Sequence, residues 1–225
     1  MDKKKSILAV FPHPDDESFG RAGTLIKHAD NGDDITLICA TMGQMGRRMG
    51  NPFFANRETL PDVREKELKD ACDKIGINRM ILWKMQDKTL QFRDPEFLAN
   101  RILKVIEDVK PEIIYTFYPE HGVHPDHDAL SKATAIAVSE LSVEERPLIY
   151  GAAITREREE ELGRPDMVVD VSDVLDQKMD VMRAHRSQSE LITLPLDMRI
   201  REAPELKEQI LEPFSKESYW VYPIS

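Results

Sequence analysis

The chain has 225 residues, 41% of them hydrophobic and 32% charged, with a formal net charge of −10. A chain of this length buries a full core without disulfide or metal staples and favours a single domain, and the composition excludes disordered, collagen-like and coiled-coil classes. The acidic balance repels phosphate backbones, so nucleic acid is not an expected partner, and no apolar run approaches the roughly 20 residues of a membrane span.

In chain order, Ser6–Phe11 is the first apolar run and ends at Pro12. Behind Lys3–Lys5 it is too short for the roughly 7–15-residue core of a signal peptide, which makes a cytoplasmic location the expectation. Gly20–Asn31 carries Leu25, Ile26 and Ala29 at helical spacing and stops at Asn31-Gly32. Asp34–Ala40 reads as a second strand. The stretch Met42–Pro61, rich in Gly, Met, Arg and Asn, leaves the carboxyl end of that strand, where open α/β sheets bind ligands; it reads as a substrate lid or as a plain surface insertion. Asp62–Ile75 is a helix with proline and acid at its start and Gly76 at its end. Arg79–Trp83 is a strand, Pro95–Val109 a helix behind Asp94, and Glu112–Tyr118 and Leu148–Ile154 are two further strands.

This alternation predicts an α/β fold, a Rossmann-like three-layer sandwich with a mainly parallel sheet and right-handed crossovers. Residues 1–225 are read as one domain, with 1–187 as its α/β core and 188–225 as a C-terminal extension packed on it. Cys39 and Cys72 lie in core-like segments without Cys-x-x-Cys spacing, which predicts two buried free thiols.

Pro12-His13-Pro14-Asp15-Asp16-Glu17 packs a histidine and three carboxylates into the turn that ends the first strand. Similar side chains recur at Glu120-His121-Gly122-Val123-His124-Pro125-Asp126-His127-Asp128, past the fourth strand. In the strand order 3-2-1-4-5 the first and fourth strands are neighbours at the topological switch point, so both clusters meet in one crevice. A divalent ion held by imidazoles and a carboxylate needs ligands from separate, stiff segments, and His13, Asp16 and His127 offer such a set. Either motif alone reads equally as a solvated turn or helix cap; the pairing at adjacent strand ends points to a site. A histidine, a nearby aspartate and a distant histidine also imitate the triad of non-haem iron oxygenases, but the alternating helices oppose the antiparallel barrels that carry it. His28 reads as an exposed helix residue, His121 as a bystander, and His185 as a late-helix residue without a pattern that places it.

These residues resemble the LmbE-like, or PIG-L, family of metal-dependent de-N-acetylases of N-acetylglucosamine conjugates. The resemblance runs from Ser6 to about Ala135, through Pro12–Glu17, Gly20-x-x-Gly23-Thr24, Arg64-x-x-Glu67-Leu68 and His124-Pro125-Asp126-His127. Within the family the chain is most similar to bacillithiol-biosynthesis deacetylases, which implies N-acetylglucosaminyl-malate as substrate, with another such conjugate or a related amide as the alternative. Thr41-Met42-Gly43-Gln44 departs from the family's frequent Thr-x-Gly-Glu.

Carried over by position, the resemblance implies that His13, Asp16 and His127 bind the metal and that Asp15 acts as general base. Zn2+ is the default ion, and Fe2+, Mn2+ or Co2+ suit the same donors. His124, held by Asp126, is expected to stabilise the oxyanion as an imidazolium. Arg64 matches a substrate-contacting arginine and Asp87 an acidic residue that holds sugar hydroxyls. The resemblance also implies a homo-oligomer. The carboxylates of a malyl aglycone need cations, for which Arg47, Arg48, Arg57 and Arg64 are candidates and Arg64 is favoured.

Overall fold

Ile7, Leu8, Ala9, Val10 and Phe11 have no exposed surface, as an uninterrupted apolar run predicts for a strand covered on both faces. A computed structural model describes residues 4–224. It places this strand, β1 (Ser6–Phe11), at the middle of a sheet with β2 (Asp34–Thr41), β3 (Arg79–Met85), β4 (Ile113–Phe117), β5 (Leu148–Ala152), β6 (Met167–Asp170) and β7 (Lys216–Val221). The order is β3-β2-β1-β4-β5-β7-β6; the first five strands are parallel, and β7 runs antiparallel to both β5 and β6.

Side chains along β1 alternate between two cores, as the period of two requires. Ile7, Ala9 and Phe11 pack with Leu25 and Ile26 of α1 (Ala22–Asp30) and Leu68 of α2 (Leu60–Ile75). Leu8 and Val10 face Leu98 and Ile102 of α3 (Pro95–Val109) and Leu130 of α4 (Pro125–Ser139). The result is a three-layer, Rossmann-like sandwich. Its local stops follow the sequence: Gly76 ends α2 at φ +91°, and Asp94 caps α3 by accepting from the Glu96 N–H at 3.0 Å.

Beyond β5 come the short α5 (Arg158–Leu162), α6 (Leu175–Ala184), α7 (Arg186–Glu202) and α8 (Lys207–Leu211). Past residue 187 the chain continues in α7, which begins at Arg186, and β7, deep in the tail, lies inside the sheet between β5 and β6. Its buried Glu217 accepts from the Gly23 and Thr24 N–H groups at 3.0 and 2.7 Å and pairs with buried Lys178 of α6 at 2.8 Å. The tail therefore closes the N-terminus of α1 and completes the core. Cys39 and Cys72 are free and buried, and burial pushes both thiols up. His28 is not the solvated face residue expected, because its ring bridges Asp33 Oδ2 at 2.7 Å and the Tyr115 hydroxyl at 2.9 Å. Among the described residues no helix is long and apolar enough to cross a membrane.

Candidate active site

The carboxyl ends of β1 and β4 bring the two histidine-aspartate clusters together beside a cleft of about 400 Å³. In the turn after β1, Asp16 Oδ2 accepts from the His13 backbone N–H at 2.9 Å, which folds the segment back on itself. Asp15 at the apex has φ +106°, a conformation that costs an L-residue free energy and persists only where the surroundings enforce it. Four contacts do so. The Asp15 N–H donates to Glu17 Oε2 at 3.0 Å, its carboxylate pairs with Arg64 Nη2 at 3.1 Å, and Arg64 also donates to the carbonyls of Pro14 and Gly43. Gly43, at φ +60°, lets the guanidinium through, since a Cβ there would lie 1.9 Å from Arg64 Nη1.

His13 Nδ1 lies 3.2 Å from His127 Nε2 and 3.3 Å from Asp16 Oδ2, and His127 Nε2 lies 3.3 Å from Asp16 Oδ1. The other ring atoms set the tautomers. His127 Nδ1–H donates to the Gly122 carbonyl at 2.6 Å, and the ring is stacked on Phe117 with centroids 3.8 Å apart and planes at 7°. Gly122 permits this approach, because a Cβ there would meet His127 Cβ at 2.5 Å. His13 Nε2 faces Asp87 Oδ1 at 3.1 Å and Asp126 Oδ2 at 3.5 Å, so its proton belongs on that side, although no aligned hydrogen bond forms to either oxygen. Two imidazole lone pairs and a carboxylate thus point at one another, an arrangement that repels itself unless a cation stands among the donors. Their separations fit the edges of a tetrahedral shell with bonds of about 2.0–2.2 Å. The set suits a divalent ion of the zinc, iron, manganese or cobalt class.

His124 caps α4, its Nδ1 accepting from the Asp126 backbone N–H at 3.1 Å. An accepting Nδ1 leaves Nε2 with the proton, and burial pulls the pKa below the usual histidine range. His124 is therefore a neutral donor, which corrects the imidazolium expected from sequence. The Asp126 carboxylate does not hold it either: it accepts from the Lys88 and Leu90 N–H groups at 2.7 and 3.0 Å and fixes the turn after β3.

Asp87, on that turn, accepts from the Met45 N–H at 2.8 Å through Oδ2 and presents Oδ1 to His13. It ties the 42–59 segment to the back of His13, and it lines the cleft. Arg64 is only 4% exposed, its charge committed to Asp15.

Sequence reasoning left out several supports. His185, between α6 and α7, meets Glu17 Oε1 at 2.6 Å with both side chains buried; burial opposes charge on each, yet each holds the other's, lowering the pKa of Glu17 and raising that of His185. Glu67, one turn after Arg64 on α2, accepts from the Ser187 N–H and hydroxyl at 2.7 and 2.6 Å and sets the start of α7. Arg21 lies 4.2 Å from the Phe117 ring centroid. Charged residues at core positions of amphipathic helices were the available signal for Arg64 and Glu67. His121 points to Thr155 Oγ1, at 2.7 Å, and takes no part in the triad.

The family profile described as GlcNAc-PI de-N-acetylase (PIG-L) matches residues 8–138. The chain is 47% identical over 221 residues to the probable N-acetyl-alpha-D-glucosaminyl L-malate deacetylase 2 of Bacillus cereus, with 97% of this chain and 98% of that protein covered. Among solved structures, the N,N'-diacetylchitobiose deacetylase of Pyrococcus horikoshii superposes with a TM-score of 0.74 at 20% identity, covering 97% of this chain and 84% of that one. The 4-carboxy-2-hydroxymuconate hydratase of Pseudomonas putida does so with 0.72 at 20% identity, covering 97% of each chain. A deacetylase and a hydratase at the same structural distance show that this fold serves more than one chemistry, so the sequence relatives and the site carry the functional weight.

Proposed function

The chain belongs to the PIG-L family of de-N-acetylases, and from that premise we propose that it hydrolyses the acetamido group of an N-acetylglucosaminyl conjugate, N-acetylglucosaminyl L-malate, to acetate and the free amine. The observation that carries this reading is the convergence of His13, Asp16 and His127 beside a buried, restrained Asp15. The malyl conjugate is what the name of the B. cereus relative specifies, and 47% identity across nearly the whole of both chains supports extending it to this one.

His13, Asp16 and His127 would hold the ion, Zn2+ in this proposal. When bound, it supplies Lewis acidity, lowering the pKa of a water and polarising the acetyl carbonyl. Asp15 does the proton work. Burial raises its pKa to about 6 despite the opposing pull of Arg64, so near neutrality it is an ionised base of useful strength. It takes the proton from the attacking water and returns it to the departing nitrogen as the C–N bond breaks. His124 donates from Nε2 to the carbonyl oxygen as negative charge develops there, a neutral donor held in place by the α4 N-terminus.

The test is mass-spectrometric detection of acetate and amine from a panel of N-acetylglucosaminyl conjugates, before and after chelation. Chelation is expected to abolish turnover. Asp15→Asn is expected to keep its metal, read by elemental analysis, while turnover falls about 10²–10⁴-fold. Near-normal turnover in a metal-loaded Asp15→Asn protein would remove Asp15 as the base.

A further inference from the structure

We infer that Arg47 reads the anionic aglycone and sets this enzyme's preference for a carboxylate-bearing conjugate; the inference rests on the proposed N-acetylglucosaminyl substrate. Of the four candidate arginines, three are already held by the protein, two through backbone carbonyls and one by a carboxylate. Arg48 donates to the Gln188 carbonyl at 2.6 Å, Arg57 to the Gly46 carbonyl at 2.7 Å, and Arg64 pairs with Asp15. Arg47 is exposed and, among the described residues, has neither a hydrogen-bond nor an ion-pair partner, yet it lines the catalytic cleft. It also borders two adjoining cavities of about 240 and 270 Å³. Arg47 therefore stands where the cleft meets both neighbouring cavities, in reach of a group carried by a sugar bound there.

The backbone on either side of Arg47 is pinned. The Met45 N–H donates to Asp87, the Gly46 N–H to the Gly43 carbonyl at 3.0 Å, and the Asn51 N–H to Glu190 Oε2 at 2.6 Å. The held loop fixes the base of the side chain, and its free guanidinium can grip a carboxylate through two parallel hydrogen bonds. The need for such a cation is acute in a cleft walled by Asp15, Asp16 and Asp87, in a chain of net charge −10. Lys88, the other exposed cation on the cleft wall, is a point charge on the opposite segment and is the natural rival.

Two measurements on the metal-loaded enzyme decide the matter. Steady-state kinetics compare the malyl conjugate with methyl N-acetylglucosaminide, and calorimetry reads binding of the deacetylated malyl glucosaminide without turnover. R47Q is expected to raise KM for the malyl conjugate and Kd for its product about ten- to hundredfold, with kcat and both constants for the methyl glycoside unchanged. R47K should recover only part of the loss. An equal loss on both substrates, no loss on either, or the charge-specific loss appearing in K88Q instead would overturn the assignment. Failure of the wild-type enzyme to deacetylate either glycoside would overturn the proposed function itself, and the calorimetric comparison would still decide whether Arg47 binds the malyl group.

Discussion

Asp15 shows at the scale of one residue how a base is prepared: a backbone forced to φ +106°, a carboxylate removed from water, and an arginine that checks how far burial raises its pKa. Ionised Asp15 is the active form, so activity is lost as the pH falls through its pKa, about 6. Arg64 favours the ionised form. Its replacement by Met should therefore raise the Asp15 pKa and move the acid limb of kcat/KM to higher pH. An acid limb that stays where the wild type has it would separate Arg64 from Asp15. Phe117 provides a second case. Its ring stacks on His127, and Phe117→Leu should weaken metal affinity about tenfold, read by competition with a chelator, as losses around ligand histidines do. His13, Asp15, Asp16 and His127 were legible in the sequence because the chemistry demands those residue types at strand ends. The partners of Arg64, Asp87 and Asp126 were not, because a guanidinium or carboxylate next to a cleft can face ligand or protein, and only the packed structure tells which.

Among the elements, legibility followed how each strand meets the core. β1, β2, β4 and β5 are apolar runs largely buried in the sheet, β3 is a half-buried edge strand, and α1 and α2 carry stop signals that can be read locally. β7 escaped detection because Lys216-Glu217-Ser218 begins it with polar residues, although Glu217 is almost fully buried. That burial is made tolerable by Lys178, which also donates to the Phe214 carbonyl at 2.7 Å, and by the two N–H groups that open α1. Removing one partner of a buried pair leaves an uncompensated charge, typically at a cost of about 3–5 kcal/mol. Lys178→Met should therefore lower the unfolding free energy by an amount in that range, read from the shift of the denaturation midpoint at unchanged slope. A loss below about 1 kcal/mol would mean that Glu217 is satisfied by the α1 N-terminus alone.

For the molecule as a whole, the strand order does what neither histidine cluster does alone. Because β1 and β4 are neighbours, residues 114 positions apart face each other at 3.2 Å, and an ion held between them links the turn after β1 to the start of α4. The unfolded chain has no such juxtaposed site, so binding must stabilise the fold, by roughly 4 kcal/mol when the free ion exceeds its dissociation constant a thousandfold. The chelated protein should accordingly melt at a lower temperature than the loaded one. The gain should persist in Asp15→Asn, whose ligands are intact, and fall away in His127→Ala. It should also shrink on acidification, since protons compete for the imidazole lone pairs that point into the site. Thermal melts at fixed Zn2+ across pH check all three expectations with no reference to turnover. Equal stabilisation of His127→Ala and wild type would place the ion elsewhere, whereas loss of the gain in His127→Ala but not in Asp15→Asn would put His127 among the ion's ligands and the Asp15 carboxylate outside them.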